Sequence, residues 1–287
     1  MVMFMWKDSY LVGIELIDNQ HKRLFEAITS LKDNLGHLEE TSYKEQLQAT
    51  ITFLKDYCIH HFNDEQNHMQ SIGFKGYDEH KKKHDKLLGD VGEYGIKLVE
   101  TDFDHEVVES FLGFLVTWLI YHIGVEDQQI PKKVRTDSLA ERGDGVYHAC
   151  ANTIKTVINT LTGLPESEMI YAVDNIKHIK PGVCFSARLI NPDDYNSLNV
   201  IYSNSLASGM VKEMTNIDSE KFANVMYMAL QEITGIIGTK IAQVLSRETG
   251  SEISIGTPKR VHLSDIDKTV NSLIMHTQLG ALEVIFS

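Results

Sequence analysis

The chain has 287 residues, 23% charged and 43% hydrophobic, which is the balance of a globular protein long enough for two domains. A formal net charge of -13 excludes a general binder of nucleic acid or of an anionic membrane surface, because both reward basic patches. The three cysteines, Cys58, Cys150 and Cys184, are odd in number and widely spaced, so they read as reduced thiols of a cytosolic protein and not as a disulfide framework.

The opening MVMFMWKDSY has neither a basic n-region nor a long apolar run, so no secretory signal is expected. Apolar residues then recur at helical spacing without an internal proline as far as Gln129. Asp18 is expected to cap a helix that runs through Leu35 and is broken by Gly36. A second helix is predicted over Thr41–Ile72, turned by GFKGYDEH, a third over Tyr77–Glu100 and a fourth over Asp104–Val125. Phe111–Val125 is the most apolar stretch, but it is short for a bilayer and carries His122, so it reads as a buried bundle helix. Four helices with short connections predict an antiparallel four-helix bundle over residues 1–131.

Residues 130–145, IPKKVRTDSLAERGDG, are polar with a proline and two glycines, and a linker is expected at 132–145. Beyond it the pattern changes to that of a mixed α/β domain over 146–287. A helix is predicted at Val146–Thr162, then strands at Met169–Ile176, Val183–Ile190 and Leu198–Ser203. Helices follow at Ser205–Met214 and Ser219–Arg247, then strands near Ile253, at Val270–Thr277 and at Ala281–Phe286.

The first half concentrates metal-ligating residue types at helical spacing. His61 and Glu65 lie four apart on the second helix, and His80 and His84 four apart on the third, so each pair projects from one face. His21 sits early on the first helix. His122 and Asp127 are five apart, which turns about 140° around a regular helix; the helix must loosen between them, with Gly124 the candidate point. Imidazoles suit iron, and carboxylates can bridge two metals while partly cancelling their charge; manganese accepts the same donors. A single HxxxH is a weak signal, since one histidine on a helix face is usually solvated or a satisfied core residue. His60 and Asp64 repeat the four-residue step one position out of phase. His37, His68 and His105 are expected to be solvated.

The segments IDNQH, HFNDEQNHM, HKKKH and WLIYHIGVED resemble the ligand motifs of the bacterial hemerythrins, in order and spacing, over roughly residues 6–130. The resemblance prefers His61 over His60, through the HFxxE pattern. It implies a cofactor of two non-haem irons with an oxo or hydroxo bridge. His80, His84 and His122 would hold one iron, His21 and His61 the other, and Glu65 and Asp127 would bridge. The iron with fewer histidines keeps an open position where O2, or alternatively NO, would bind. Trp118, Leu119 and Ile123 match the apolar pocket around the gas; Trp118 as plain core fits its position equally well.

The segments ACANTIKTVINTLTGL, MYMALQEITGIIGTKIAQVLSRETG and SEISIGTPKRV resemble the CheC/CheX/FliY chemotaxis phosphatases, most nearly CheX. That resemblance implies a CheY-like response regulator, or a second copy of the chain, as partner. Active members use an ExxN pair in which the Glu anchors to the partner and the Asn orients water. Here the matching positions are Glu232 and Gly235, and glycine has no side chain with which to position anything. Gln231 projects about 100° away from Glu232. A second ExxN string, Glu213 to Asn216, lies where a helix should end, which makes Asn216 a helix C-terminal residue. Phosphatase activity is therefore expected to be lost. The expected function is a cytosolic O2 or redox sensor with a chemotaxis output. The alternatives are O2 storage or iron buffering, and an oxygen-gated phosphatase.

Overall fold

The computed structural model describes residues 6–33, 41–130, 145–163, 168–172, 179, 182–190, 195–217, 222–266 and 272–286. The expected linker at 132–145 lies outside them except for Gly145, as do Gly36 and His37. The chain divides into two compact units, Met1–Ser138 and Leu139–Ser287.

In the first unit, helix α1 spans Glu15–Asp33, α2 Thr41–Ser71, α3 Tyr77–Glu100 and α4 His105–Tyr121. α1 packs on α2 and α4, and α3 packs on the same two, which closes a four-helix bundle. α1 begins three residues before the expected cap. Asp18 instead reaches back, its carboxylate accepting from the Val12 N–H at 2.7 Å and the Gly13 N–H at 3.1 Å, and so ties the entering chain to the helix. That entering chain is anchored further by Tyr10, which stacks on Phe25 at 5.6 Å. α4 is capped by Asp104, the first residue of its predicted span, whose side chain accepts from the N–H groups of Glu106 and Val107. Its extended apolar run, His105–Gln129, is long and apolar enough to cross a membrane, yet 83% of its apolar window is buried inside the protein. Each fully buried Leu, Ile or Phe contributes about 1.5–3 kcal/mol, which offsets the cost of the polar residues at the bundle's centre.

α4 does not simply run on to Val125. It passes into a π turn, His122–Glu126, in which the Asp127 N–H bonds to the His122 carbonyl, and then a 3-10 turn, Asp127–Gln129. This is the loosening the five-residue step demands. A bond from residue i to i+5 sets Asp127 one turn beyond His122 on the same side.

The second unit is mixed α/β. In chain order it contains α5 Gly145–Thr162, β1 Glu168–Ala172, β2 Val183–Ile190, β3 Tyr195–Tyr202, α6 Asn204–Thr215 and α7 Ala223–Thr249. β4 Ser254–Ile255, β5 Lys259–Val261, β6 Ser272–Thr277 and β7 Gly280–Phe286 follow. The described strands form one antiparallel sheet in the order β1-β6-β7-β3-β2-β4, with β5 also on β2. Of the predicted strand Met169–Ile176, only the part through Ala172 is described. β3 starts three residues earlier than its apolar core suggests, and β5 is an addition to the predicted set. The long helix α7 lies against β2 and β4. Tyr202 of β3 shares a 2.9 Å hydrogen bond with Thr234 of α7. Gly238 lets α7 approach closely, since an added Cβ would overlap the Ile255 side chain of β4. On another face, Cys184, Ile201, Ile285 and Ile266 form an apolar cluster.

Candidate metal centre

All seven expected donors lie in the first unit and are almost wholly buried: His21, His61, Glu65, His80, His84, His122 and Asp127. Helical spacing brings them inward from four helices. Glu65, His80, His84 and His122 form one group whose donor atoms lie within 4.8 Å of one another, and His21, Glu65 and Asp127 form another. Glu65 belongs to both.

Asp127 faces two ways. Its Oδ1 lies 3.0 Å from His122 Nε2 and 3.3 Å from His80 Nε2, while Oδ2 lies 3.2 Å from His21 Nε2. Glu65 Oε2 approaches His84 at 3.1 Å and His80 at 3.6 Å. His61 stands outside both groups. Its ring is 4.8 Å from that of His21, and its Nδ1 turns to Gln20 Oε1 at 3.0 Å.

Both His21 nitrogens, both oxygens of Glu65 and Asp127, and His80 Nε2 are buried without a well-formed hydrogen bond among the described residues. Buried polar atoms nearly always find partners. These atoms converge on shared space instead of satisfying each other, so the donor set fits cations between them. Five imidazoles with two carboxylates match borderline divalent metals such as iron better than oxygen-only cations.

The electrostatics follow from burial and proximity. Burial pulls His61 down to about 3 and His84 down to about 4, so both rings are neutral, as ligands must be. For His80 burial acts the same way, but contacts with Asp127 and Glu65 win and raise it to about 9. Glu65 is held at about 2: burial and Asp127 would raise it, but His80 and His84 hold it down. Asp127 is pulled well below the carboxylate range, against its burial, mainly by His122.

Aromatic rings fix two ligating-type histidines. Phe62 stacks on His84 at 3.8 Å and Trp118 on His122 at 4.2 Å. An apolar cavity abuts His61 and His122 and is lined by Trp118, Leu119 and Ile123, with Cys58, Leu87 and Val91 among the others. It leaves about 20 Å³ for the centre of a water-sized molecule, against about 10–15 Å³ needed to admit one. The π turn is pinned from outside. Glu126 ion-pairs with Lys83 of α3, and the Gln128 amide donates to the carbonyls of Tyr10, Leu11 and Ile123 at 3.2–3.4 Å.

His60 is exposed. His105 is exposed, as expected, and contacts buried Glu109 at 2.8 Å; His68, also expected to be solvated, is partly buried. Sequence reasoning missed Gln20 and Asp64, which touch across α1 and α2. In the second unit Glu232 is half-buried on α7. Gly235 faces Pro258 at 3.7 Å, a looser approach than that of Gly238. Asn216 ends α6 in the left-handed conformation, and Glu213 is exposed.

A family model described as the hemerythrin HHE cation-binding domain matches residues 12–133. A bacteriohemerythrin from Clostridium acetobutylicum is 34% identical over 127 residues, 44% of this chain and 98% of that protein. Solved structures similar to this chain include a CheX–CheY–BeF3–Mg complex from Borrelia burgdorferi (TM-score 0.41, 15% identity) and the chemotaxis protein CheX from Desulfovibrio desulfuricans (TM-score 0.39, 19% identity). Each covers 50% of this chain and 97% of its own.

Proposed function

The chain belongs to the hemerythrin family through residues 12–133, and from that premise we propose that its first unit holds two non-haem irons and reports O2 to the second. The observation that carries the metal reading is Asp127, whose two oxygens face histidines on opposite sides. His80, His84 and His122 would hold one iron, His21 and His61 the other, with Glu65 and Asp127 between. When bound, the irons supply reversible one-electron chemistry and an open position for a diatomic gas.

The protein's own part is positioning and exclusion. Phe62 and Trp118 hold two imidazole planes. The cavity beside His61 and His122 admits a molecule of diatomic size and little else, and its apolar lining disfavours water and protons. Carboxylates from α2 (Glu65) and from the 3-10 turn after the π turn (Asp127) would neutralise positive charge where bulk water cannot.

The second unit is the proposed output. Its sequence segments resemble CheX, and a pure oxygen store needs no such unit. With Gly235 in the water-orienting position, the output is binding of a CheY-like regulator or of a second copy, without dephosphorylation, in a cytosolic setting. The test has two arms. Metal analysis with visible spectra, taken anaerobically and in air, should show two irons per chain and a band that appears with O2; a colourless, one-metal protein overturns the metal reading. Oxygenated and deoxygenated protein should then differ in regulator affinity, oligomeric state or protease sensitivity at 132–145. Identity in all three overturns the sensor reading and leaves storage.

A further inference from the structure

The out-of-phase pair His60 and Asp64 leaves a residue unused: Asp64 lies on the ligand-bearing stretch of α2 but belongs to neither donor group. Its carboxylate Oδ2 accepts a 2.6 Å hydrogen bond from Gln20 Nε2, and Gln20 Oε1 in turn lies 3.0 Å from His61 Nδ1. Gln20 and Asp64 are both partly buried, and His61 is 1% exposed.

The relay has one consistent direction. An ionised carboxylate only accepts hydrogen bonds, so the amide must turn its NH2 to Asp64 and its carbonyl oxygen to His61. A carbonyl also only accepts, so His61 must carry its proton on Nδ1. The Nε2 lone pair is then free for a metal. Asp64 orients Gln20, and Gln20 selects the tautomer of His61.

We propose that Gln20, oriented by Asp64, is the positioning residue for His61 and sets how firmly, and how electron-rich, the two-histidine iron is held. The inference rests on the diiron reading above. It gives Asp64 a role one step away from the metal, and it explains why the His60/Asp64 repeat binds nothing itself. The two-histidine side has fewer imidazoles, so the orientation of each matters more there. Outer partners of this kind typically change metal affinity by roughly 10–100-fold.

The test uses the full iron-loaded chain and three variants. Gln20→Leu removes the acceptor and should release one of two irons to a chelator roughly 10–100-fold faster. Asp64→Ala lets the amide turn either way and should give a smaller effect of the same sign. The paired change Gln20→Glu with Asp64→Asn keeps total charge and rebuilds the chain with the groups exchanged: the amide on α2 donates to the carboxylate on α1, which accepts from His61. It should retain both irons and lower the midpoint potential, because a carboxylate acceptor makes the imidazole more basic. Gln20→Leu should move the potential upward. Potentials displaced in the same direction by both changes, or unchanged chelator release in Gln20→Leu, overturn the positioning role. A parent protein that binds no iron overturns the diiron reading and this inference with it. A two-iron parent with insensitive variants overturns this inference alone.

Discussion

Trp118→Ala is the sharpest probe of the cavity. Trp118 stacks on His122, lines the cavity and is itself partly exposed, so it stands between that cavity and water. The cavity now offers about 20 Å³ for the centre of a water-sized molecule, barely above what one water needs. Removing the indole enlarges it well past that limit and links it to solvent. Trp→Ala costs about 3–5 kcal/mol at a fully buried site; partial exposure puts Trp118 near the lower end. The expected fall in Tm is about 10 °C, at about 4 °C per kcal/mol for a unit of this size, which leaves the bundle folded. Loss of the O2-dependent visible band, followed in air after excess reductant is removed, should become at least about tenfold faster, equivalent to about 1.4 kcal/mol in barrier. Trp118→Phe keeps a ring on His122 and should stay close to the parent in both measurements. An alanine variant with the full loss of stability and an unchanged rate of band decay would refute the argument that this side chain excludes water.

Stripping the metal with a chelator should destabilise the first unit. Even two buried donors left without partners, at about 1–3 kcal/mol each, should produce a clear fall in the unfolding midpoint, restored by adding Fe(II) anaerobically. No change on stripping would mean that the donors satisfy one another. In the second unit, Gly238→Ala turns the end of the Ile255 side chain aside and brings Ile255 and Leu198 to 3.3 Å from the new methyl, so it should be less stable than Gly235→Ala. Gly235→Ala meets, among the described residues, Pro258 at an ordinary 3.7 Å and should stabilise by about 0.5–1 kcal/mol. Urea midpoints of the full chain separate the two, and equal midpoints would contradict the close approach of α7 to β4. Burial pushes the thiols of Cys58 and Cys150 up to about 12, so alkylation at pH 8 should be about a thousandfold slower than for an exposed thiol until urea opens the fold. The unfolded chain ionises these thiols first, so stability should be unaffected below the ordinary value near 9 and should fall as pH rises from there towards 12. A flat unfolding midpoint over that interval counts against the burial of both.

The bundle was legible because its helices are long, proline-free and periodic; the four-residue steps His61–Glu65 and His80–His84 put each pair on one face, while the choice of His61 over the out-of-phase His60 came from the resemblance. α3 coincides with its predicted span. What pattern alone did not reveal depends on contacts far apart in the chain. Asp18 was a plausible cap by residue type, yet its carboxylate is taken by Val12 and Gly13. The Asp64–Gln20–His61 relay spans α1 and α2 and has no local signature. β5 is three residues, Lys259–Val261, mostly exposed and strand-like only because β2 offers a partner. Gly238 is explained only by what the fold sets against it, the side chains of Ile255 and Leu198.

The step from His122 to Asp127 shows how a local irregularity can be a requirement of the site. A regular helix would leave the two about 140° apart, and Asp127 could not meet His122 and His80 with one oxygen and His21 with the other. The π turn removes that mismatch, but such turns are rare and persist only where their surroundings hold them. Here the holding groups come from three directions: Lys83 from α3 on Glu126, Gln128 back to the Ile123 carbonyl, and the same amide onto Tyr10 and Leu11 of the entering chain. The entering chain is in turn tied to α1 by Asp18, three residues before His21. The residue that faces both halves of the centre is therefore fixed by contacts outside it. A change at Lys83 or Gln128, neither of which belongs to the metal-ligating set, should consequently be felt at the metals through the position of Asp127.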